Sequence, residues 1–544
     1  MALIPSPRKS GRLAPRSFGL SCLAAALWLA WPAVVPEARA QQRLPALGDS
    51  VSADFDITEE RRLGERIMRE IRRDPDYLDD PLLLEYLNAL WQPLVAAARA
   101  RGEITADNDT SYAWEAFLIR DRMINAFALP GGYVGVYLGL IALTGSGDEL
   151  ASVLGHELSH VTQRHIARGM VNSKNQSLLA LGGMILGMIA ASRASSSDAA
   201  QAVIAGSQAA MVQGQLNFSR DMEREADRIG LDLMATAGFS PTGMAGMFEK
   251  LDGASRLNDS NQYPYLRSHP LTVERISEAR LRAREAAPLN GRDPVTLTQH
   301  TLMQARARVL MDRSEPSLRR QQALGAPGSP AVDLARVGAL YSSGMASTQL
   351  REFDRADQAI DAGMAIAARN FAGEPAVARA FALLKAANQI ERGGSATAMA
   401  SVLGSTLAPY AADRSRPMMM ARAQAALARQ RAGDAGAATE LRSAMESLQT
   451  WVSEHRRDSL AWLTLSQCAE PLGLRLRSLR AGAEAAASSG DLLGAVDRLR
   501  AAQQIARGNG SGDDVEISII QSRLRELEPE RRKLLAEMRG EKPE

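Results

Sequence analysis

Disulfide chemistry is the first thing this sequence does without: its 544 residues hold two cysteines, Cys22 and Cys468. Aromatic residues are scarce at 5%, histidines number six, and 64 Lys+Arg against 62 Asp+Glu leave a formal net charge of +2. A disulfide-stapled fold is therefore excluded, and a buried core must hold the chain together. The basic excess that marks nucleic-acid binding is missing as well, so the charge selects no partner. With 46% hydrophobic and 23% charged residues the composition is globular, which excludes disordered, collagen-like and coiled-coil chains. The length requires two or more compact regions.

Long apolar runs are also few. Arg8, Lys9, Arg12 and Arg16 precede an apolar run from Phe18 to Val35 that ends in Ala38-Arg39-Ala40. This is the pattern of a cleaved secretory signal over residues 1–40. Cleavage there removes Cys22 and leaves Cys468 with no internal disulfide partner. The nearest later candidate for a membrane span, Leu178 to Ala191, is rich in Gly and Met. It falls short of the ~20 continuous apolar residues a bilayer requires. The expectation is an exported, soluble protein with at most peripheral membrane contact.

Two textures divide the remainder. From about Leu44 to Ala287 the sequence mixes helical periodicity with a short alternating β segment. From about Leu297 it turns Ala-, Leu- and Arg-rich, and the change falls at Pro288 to Pro294. The fold expected is mainly α: a domain over residues 41–290 with a small β-hairpin or sheet, then an α-helical repeat domain over 297–544. In that second part Ala356, Ala359 and Gly363 follow Phe353 at helical spacing, and Gly433-Asp434 and Gly490-Asp491 punctuate Ala-rich helices. Small residues at close-packing positions of paired helices suggest a degenerate tetratricopeptide array, with a generic helical bundle as the alternative. An array would offer a concave surface for another protein.

The chemistry gathers on one predicted helix. Ser146 and Glu149 have the spacing of a capping box, and Leu150, Leu154, Leu158 and Val161 continue the helical stripe. That helix carries His156-Glu157-Leu158-Ser159-His160, the H-E-x-x-H arrangement, with both imidazoles on one face where they can share a metal ion. Two imidazoles and a carboxylate with one open position suit a single Zn2+, and Glu157 stands where it can take a proton from water. A third ligand is needed. In Asp221-Met222-Glu223-Arg224-Glu225-Ala226-Asp227 a helical stripe of Met222, Ala226, Ile229 and Leu233 leaves Glu223 and Asp227 on the adjoining face. Glu223 would bind the metal and Asp227 would hold the non-liganding nitrogen of a ligand histidine. Glu225 is the competitor, although it points to a different side of the helix.

These residues resemble a known family. His156 through His165, Glu223-x-x-Ala226-Asp227 and Asn125-Ala126-Phe127-Ala128-Leu129-Pro130-Gly131-Gly132 are similar to the zinc metallopeptidases related to HtpX and the CAAX prenyl proteases. Export and a helical-repeat tail are similar to the periplasmic, BepA-like branch of that family. The resemblance implies a gluzincin-type metallopeptidase domain with His156, His160 and Glu223 on zinc, Glu157 as general base and Asp227 as the supporting carboxylate. It implies location in the periplasm, with unfolded or misassembled outer-membrane proteins as clients and the β-barrel assembly machinery as a further partner.

Asn125-Ala126-Phe127-Ala128 reads as an extended segment before a Pro130-Gly131-Gly132 turn, with a second strand through Val134 and Val136. It is either a merely structural hairpin or an edge that takes substrate backbone as an added strand. His165, five residues from His160, is expected away from the metal face in a structural or supporting role. The resemblance gives His269, in the loop Ser268-His269-Pro270, the role of capping the zinc in a resting state; by residue logic alone a lone loop histidine is incidental. His300 and His455 have no comparable context. The competing functional class is a chaperone or adaptor whose metal site is vestigial or latched and whose repeats carry the function.

Overall fold

The computed structural model describes residues 56–172, 219–257, 263–285, 295–327, 333–509 and 513–539. The expected signal over residues 1–40, the apolar stretch Leu178 to Ala191 and the boundary at 288–294 lie outside the described residues.

The described residues open with α1 (Ile57–Arg73), started by Asp56 in a capping box with Glu59, followed by β1 (Tyr77–Leu78). Asp80 caps α2 (Pro81–Arg101), and the chain continues through α3 (Ala106–Ser111), β2 (Glu115–Ile119), β3 (Ala126–Leu129) and β4 (Tyr133–Tyr137). The next helices are α4 (Leu138–Leu143), α5 (Gly147–Thr162) and α6 (His165–Asn172). After them come α7 (Arg220–Ala237), α8 (Thr242–Leu257), α9 (Pro264–Ser268) and α10 (Val273–Glu285).

The expected hairpin is present. β3 and β4 pair antiparallel around the turn, and β2 joins β4 in parallel to give a mixed sheet of order β1-β2-β4-β3. Gly132 turns the hairpin at φ 86°, where a Cβ would lie 2.8 Å from the Cβ of Tyr112. Only glycine meets both demands. β3 ends the sheet and packs beside α5.

From Leu297 onward every described element is helical. α11 (Leu297–Leu310), α12 (Glu315–Ala323), α13 (Asp333–Gln349), α14 (Phe353–Asn370), α15 (Pro375–Arg392) and α16 (Ala396–Ser401) come first. α17 (Arg416–Arg431), α18 (Ala437–Glu454), α19 (Ser459–Ala469), α20 (Arg475–Ser488), α21 (Leu492–Asn509) and α22 (Asp514–Met538) follow among the described residues. Neighbours in sequence pack as hairpins. Ala356, Ala359 and Gly363 form the close-packing face of α14, and the Phe381 ring of α15 lies where a side chain at Gly363 would stand. Gly433 and Gly490 both take positive φ between helices. No described helix is long and apolar enough to cross a membrane. Cys468 is buried, and burial pushes its thiol up to about 12.

One core runs from Leu78 of β1 to Leu384 of α15, so α11 belongs to the same apolar interior as α5, the helix of His156 and His160. His300 on α11 is a pin in that interior: its Nδ1 lies 2.6 Å from the Tyr86 hydroxyl and its Nε2 3.0 Å from the Thr144 carbonyl. The start of α2 supplies three carboxylates to three later helices. Arg306 of α11 holds Asp80 in a two-point pair at 2.8 and 2.6 Å. Arg379 of α15 pairs with Glu85, and Arg416 of α17 joins Asp79 to Asp458. Burial alone would raise the Asp80 carboxyl, but the Arg306 guanidinium outweighs it and holds the group below its usual range. Removing one member of such a pair strands the other. Arg306→Met should therefore cost about 3–5 kcal/mol in urea unfolding of the full chain, whereas a loss below about 1 kcal/mol would mean that water screens the pair.

Candidate metal centre

α5 starts as the spacing requires: the Ser146 hydroxyl accepts the Glu149 N–H at 3.2 Å. The return half of the expected box differs. The Glu149 carboxylate accepts from the Gly145 N–H at 2.6 Å and is held there by Lys250 of α8. From Leu150 to Thr162 every residue of α5 is buried, so its imidazoles face the protein interior.

α7, capped by Ser219, crosses α5 where two glycines meet. A Cβ on Gly230 would stand 2.9 Å from the His156 backbone nitrogen, and one on Gly155 would stand 3.0 Å from the Gly230 carbonyl. Met222, Ala226, Ile229 and Leu233 form the buried stripe of α7, as their spacing predicts. The crossing brings Glu223 against the two histidines.

His156 Nε2 and His160 Nε2 are 3.0 Å apart, and Glu223 oxygens lie 3.5 Å from each. His269 completes the group, with Nδ1 3.2 Å from His156 Nε2 and 3.0 Å from Glu223 Oε1. One donor atom from each of these four residues lies within 4.8 Å of the others, a set that could hold a metal ion. Both oxygens of Glu157 are buried without a hydrogen-bond partner among the described residues, and His269 Nε2 lies 3.4 Å from one of them. Crowded imidazole nitrogens beside an unsatisfied buried carboxylate fit a centre built around a cation and a water.

His269 is not in an open loop. It caps the short helix α9, donates its backbone N–H to the Tyr265 carbonyl, and stacks on the Tyr265 ring at 4.7 Å. Pro264 at the first position starts this helix, a signal that reading Ser268-His269-Pro270 as a loop overlooks.

Asp227 Oδ1 comes within 2.9 Å of His156 Nδ1, off the axis a straight hydrogen bond would take. Its carboxylate is gripped from the other side by Arg275, at 2.6 and 2.8 Å, and a further Arg275 nitrogen reaches Glu223 at 2.9 Å. Arg275 is the residue that sequence reasoning missed, since nothing distinguishes it among 64 basic residues. Burial would lower His156, but Asp227 and Glu223 reverse this and raise it to about 9. Burial and the neighbouring His156 push His160 far down, into its neutral, metal-competent form. Burial alone would raise Glu223, yet His269 and His156 hold it well below the usual carboxylate range.

Glu225 turns away from the cluster. It accepts from His165 and from Arg168, each at 3.0 Å, and His165 Nδ1 lies 2.9 Å from His160 Nδ1. Burial lowers His165, and its hydrogen bond to Glu225 only partly offsets this.

The Gly155–Gly230 contact sets the spacing of the donor helices. Gly230→Val should open the crossing, costing about 1–3 kcal/mol of stability as overpacked interiors do. It should also reduce metal uptake by the full chain in equilibrium dialysis. Unchanged uptake would show that the helices separate without disturbing the donor set.

The profile of peptidase family M48 matches residues 87–283. The beta-barrel assembly-enhancing protease of Yersinia pestis is 38% identical over 249 residues, 46% of this chain and 49% of the relative. That of Escherichia coli (strain K12) is 35% identical over 250 residues, 45% of this chain and 48% of the relative. The metalloprotease LoiP of the same strain is 31% identical over 187 residues, 34% of this chain and 68% of the relative. The chain thus spans about half the length of the first two relatives. Because the profile match takes in both donor helices and the similarity covers two thirds of LoiP, the chain belongs to peptidase family M48.

Proposed function

We propose that this chain is a zinc-dependent endopeptidase of the periplasm that acts on unfolded or misassembled outer-membrane proteins. In this reading a catalytic part over residues 41–290 is joined to a tetratricopeptide-like part over 297–544 that recruits clients or the β-barrel assembly machinery. The observation that carries the catalytic reading is Glu157, a wholly buried carboxylate without a hydrogen-bond partner among the described residues, beside converging His156, His160 and Glu223. Leaving such a group unsatisfied costs about 1–3 kcal/mol or more, so a water molecule is its natural partner. The names of the two beta-barrel assembly-enhancing relatives support the client class, and the run of helices after Leu297 supports a recruiting surface.

His156, His160 and Glu223 would hold the ion. Bound there, zinc supplies a Lewis acid that lowers the pKa of water to about 7. Glu157 takes the proton from the attacking water and delivers it to the leaving amine. Asp227 steadies the His156 ring, and Arg275 holds Asp227 and Glu223 in place. The Asn125 carbonyl accepts from the Tyr137 N–H, so alternation in the antiparallel ladder turns the backbone groups of Ala126 and Ala128 away from β4. The segment Asn125, Ala126, Phe127 and Ala128 can then receive an extended client chain as an added strand, which favours unfolded backbone over particular side chains.

Glu157→Gln should keep zinc content near wild type while cleavage of a reduced, alkylated protein falls by about 10²–10⁴-fold. Near-full activity in that variant would remove Glu157 from the mechanism. We read His269, lodged between Glu223 and Glu157, as a brake that blocks the approach of water and client. His269→Ala should raise background proteolysis, self-cleavage included, at unchanged zinc occupancy. Low activity with full zinc would instead make His269 a transition-state donor.

A further inference from the structure

Residues five apart on one helix point about 140° away from each other, so His165 should not meet His160. It does, with the two Nδ1 atoms 2.9 Å apart and the rings crossed at 75°. The cause is a break in the helix. α5 ends at Thr162, Gln163 donates its N–H back to the Ser159 carbonyl at 2.9 Å, and Arg164 takes φ 51° before α6 begins at His165. A left-handed conformation costs a residue with a side chain roughly 1–2 kcal/mol. Tertiary contacts hold it: Arg164 Nε donates to Glu60 of α1 at 2.7 Å, and the Tyr112 hydroxyl donates to the same carboxylate oxygen. All three residues are buried.

The protons follow from this geometry. The donor cluster needs a lone pair on His160 Nε2, so the proton of that ring sits on Nδ1. His165 Nδ1 accepts it. His165 must then carry its own proton on Nε2, which it donates to Glu225 Oε2 at 3.0 Å, and Arg168 donates to that same oxygen. A ligand histidine commonly rests directly on a carboxylate, as His156 does beside Asp227. Here an imidazole is interposed.

We propose that His165 is a positioning residue for the metal: it fixes the tautomer and ring plane of His160 and passes the hold of Glu225 and Arg168 to it, aimed by the strained turn at Arg164. This rests on the reading of His160 as a zinc ligand. The test is zinc affinity of the full chain by competition with a chromophoric chelator, with the Co2+ absorption spectrum and the melting temperature of the metal-free protein read on the same samples. His165→Ala should weaken zinc binding by about 10–100-fold and alter the Co2+ spectrum. His165→Asn, whose side-chain oxygen can accept from His160 Nδ1, should recover most of that loss. Wild-type protein that takes up no zinc would overturn the metal centre itself. Equal affinity in wild type and His165→Ala would overturn the positioning role alone. Equal loss in the Ala and Asn variants, together with a lower metal-free melting temperature in both, would reduce His165 to a packing residue and likewise overturn it.

Discussion

The backbone contact between Gly155 and Gly230 is the constraint on which the rest of the centre depends. Helices packed through side chains keep their axes about 8–10 Å apart, held off by the residues at the contact. Two facing glycines remove that spacer. His156 follows Gly155 directly, and Glu223 lies about two turns before Gly230, so closure at the glycines carries the faces of His156 and Glu223 together. The burial of α5 on every side is the corollary: a helix used this way needs the sheet, α2, α7 and α8 packed around it.

Such a buried site concentrates charge that the interior would otherwise reject. Glu223 and Asp227 are gripped by one guanidinium, and desolvation alone would favour their neutral forms. Arg275, His156 and His269 outweigh that burial and hold both carboxyls below their usual range. The centre therefore has two tiers. One set of side chains faces the common point, and an outer set of Asp227, Arg275, His165 and Glu225 contacts the first from behind.

Legibility in the sequence followed from how local each signal was. The H-E-x-x-H spacing, the stripe that orients Glu223, and the Pro-Gly-Gly turn are patterns within one element, and each appears as its period implies. His269 was a candidate only through family resemblance, because its place in the cluster is created by the fold. The contact of His165 with His160 was illegible for a definite reason: it requires a left-handed arginine, and Arg164 carries none of the Gly or Asn signature that marks such positions. Arg275 and the carboxylates at the head of α2 look like solvated charge in sequence. Only tertiary structure shows Asp80 buried against Arg306.

That last pairing bears on how the two textures of the chain cooperate. α2 packs on α5 and α7 through its body and holds Arg306, Arg379 and Arg416 through Asp80, Glu85 and Asp79 at its start. The core shared by α2 and α11 continues as far as α15. Cutting the chain near residue 290 would therefore strand buried acids and open the core, so poor activity in such a fragment would report damage rather than lost recruitment. A recruiting role for the later helices must be tested on their exposed faces, with the chain intact. The same joint gives the proposal its geometry, because a client held by helices tied to α2 would be delivered at a fixed distance from the edge of β3. The strand that receives the backbone and the surface that captures the client would then be parts of one rigid mount, with selectivity resting on reach and unfolding more than on sequence at the cut.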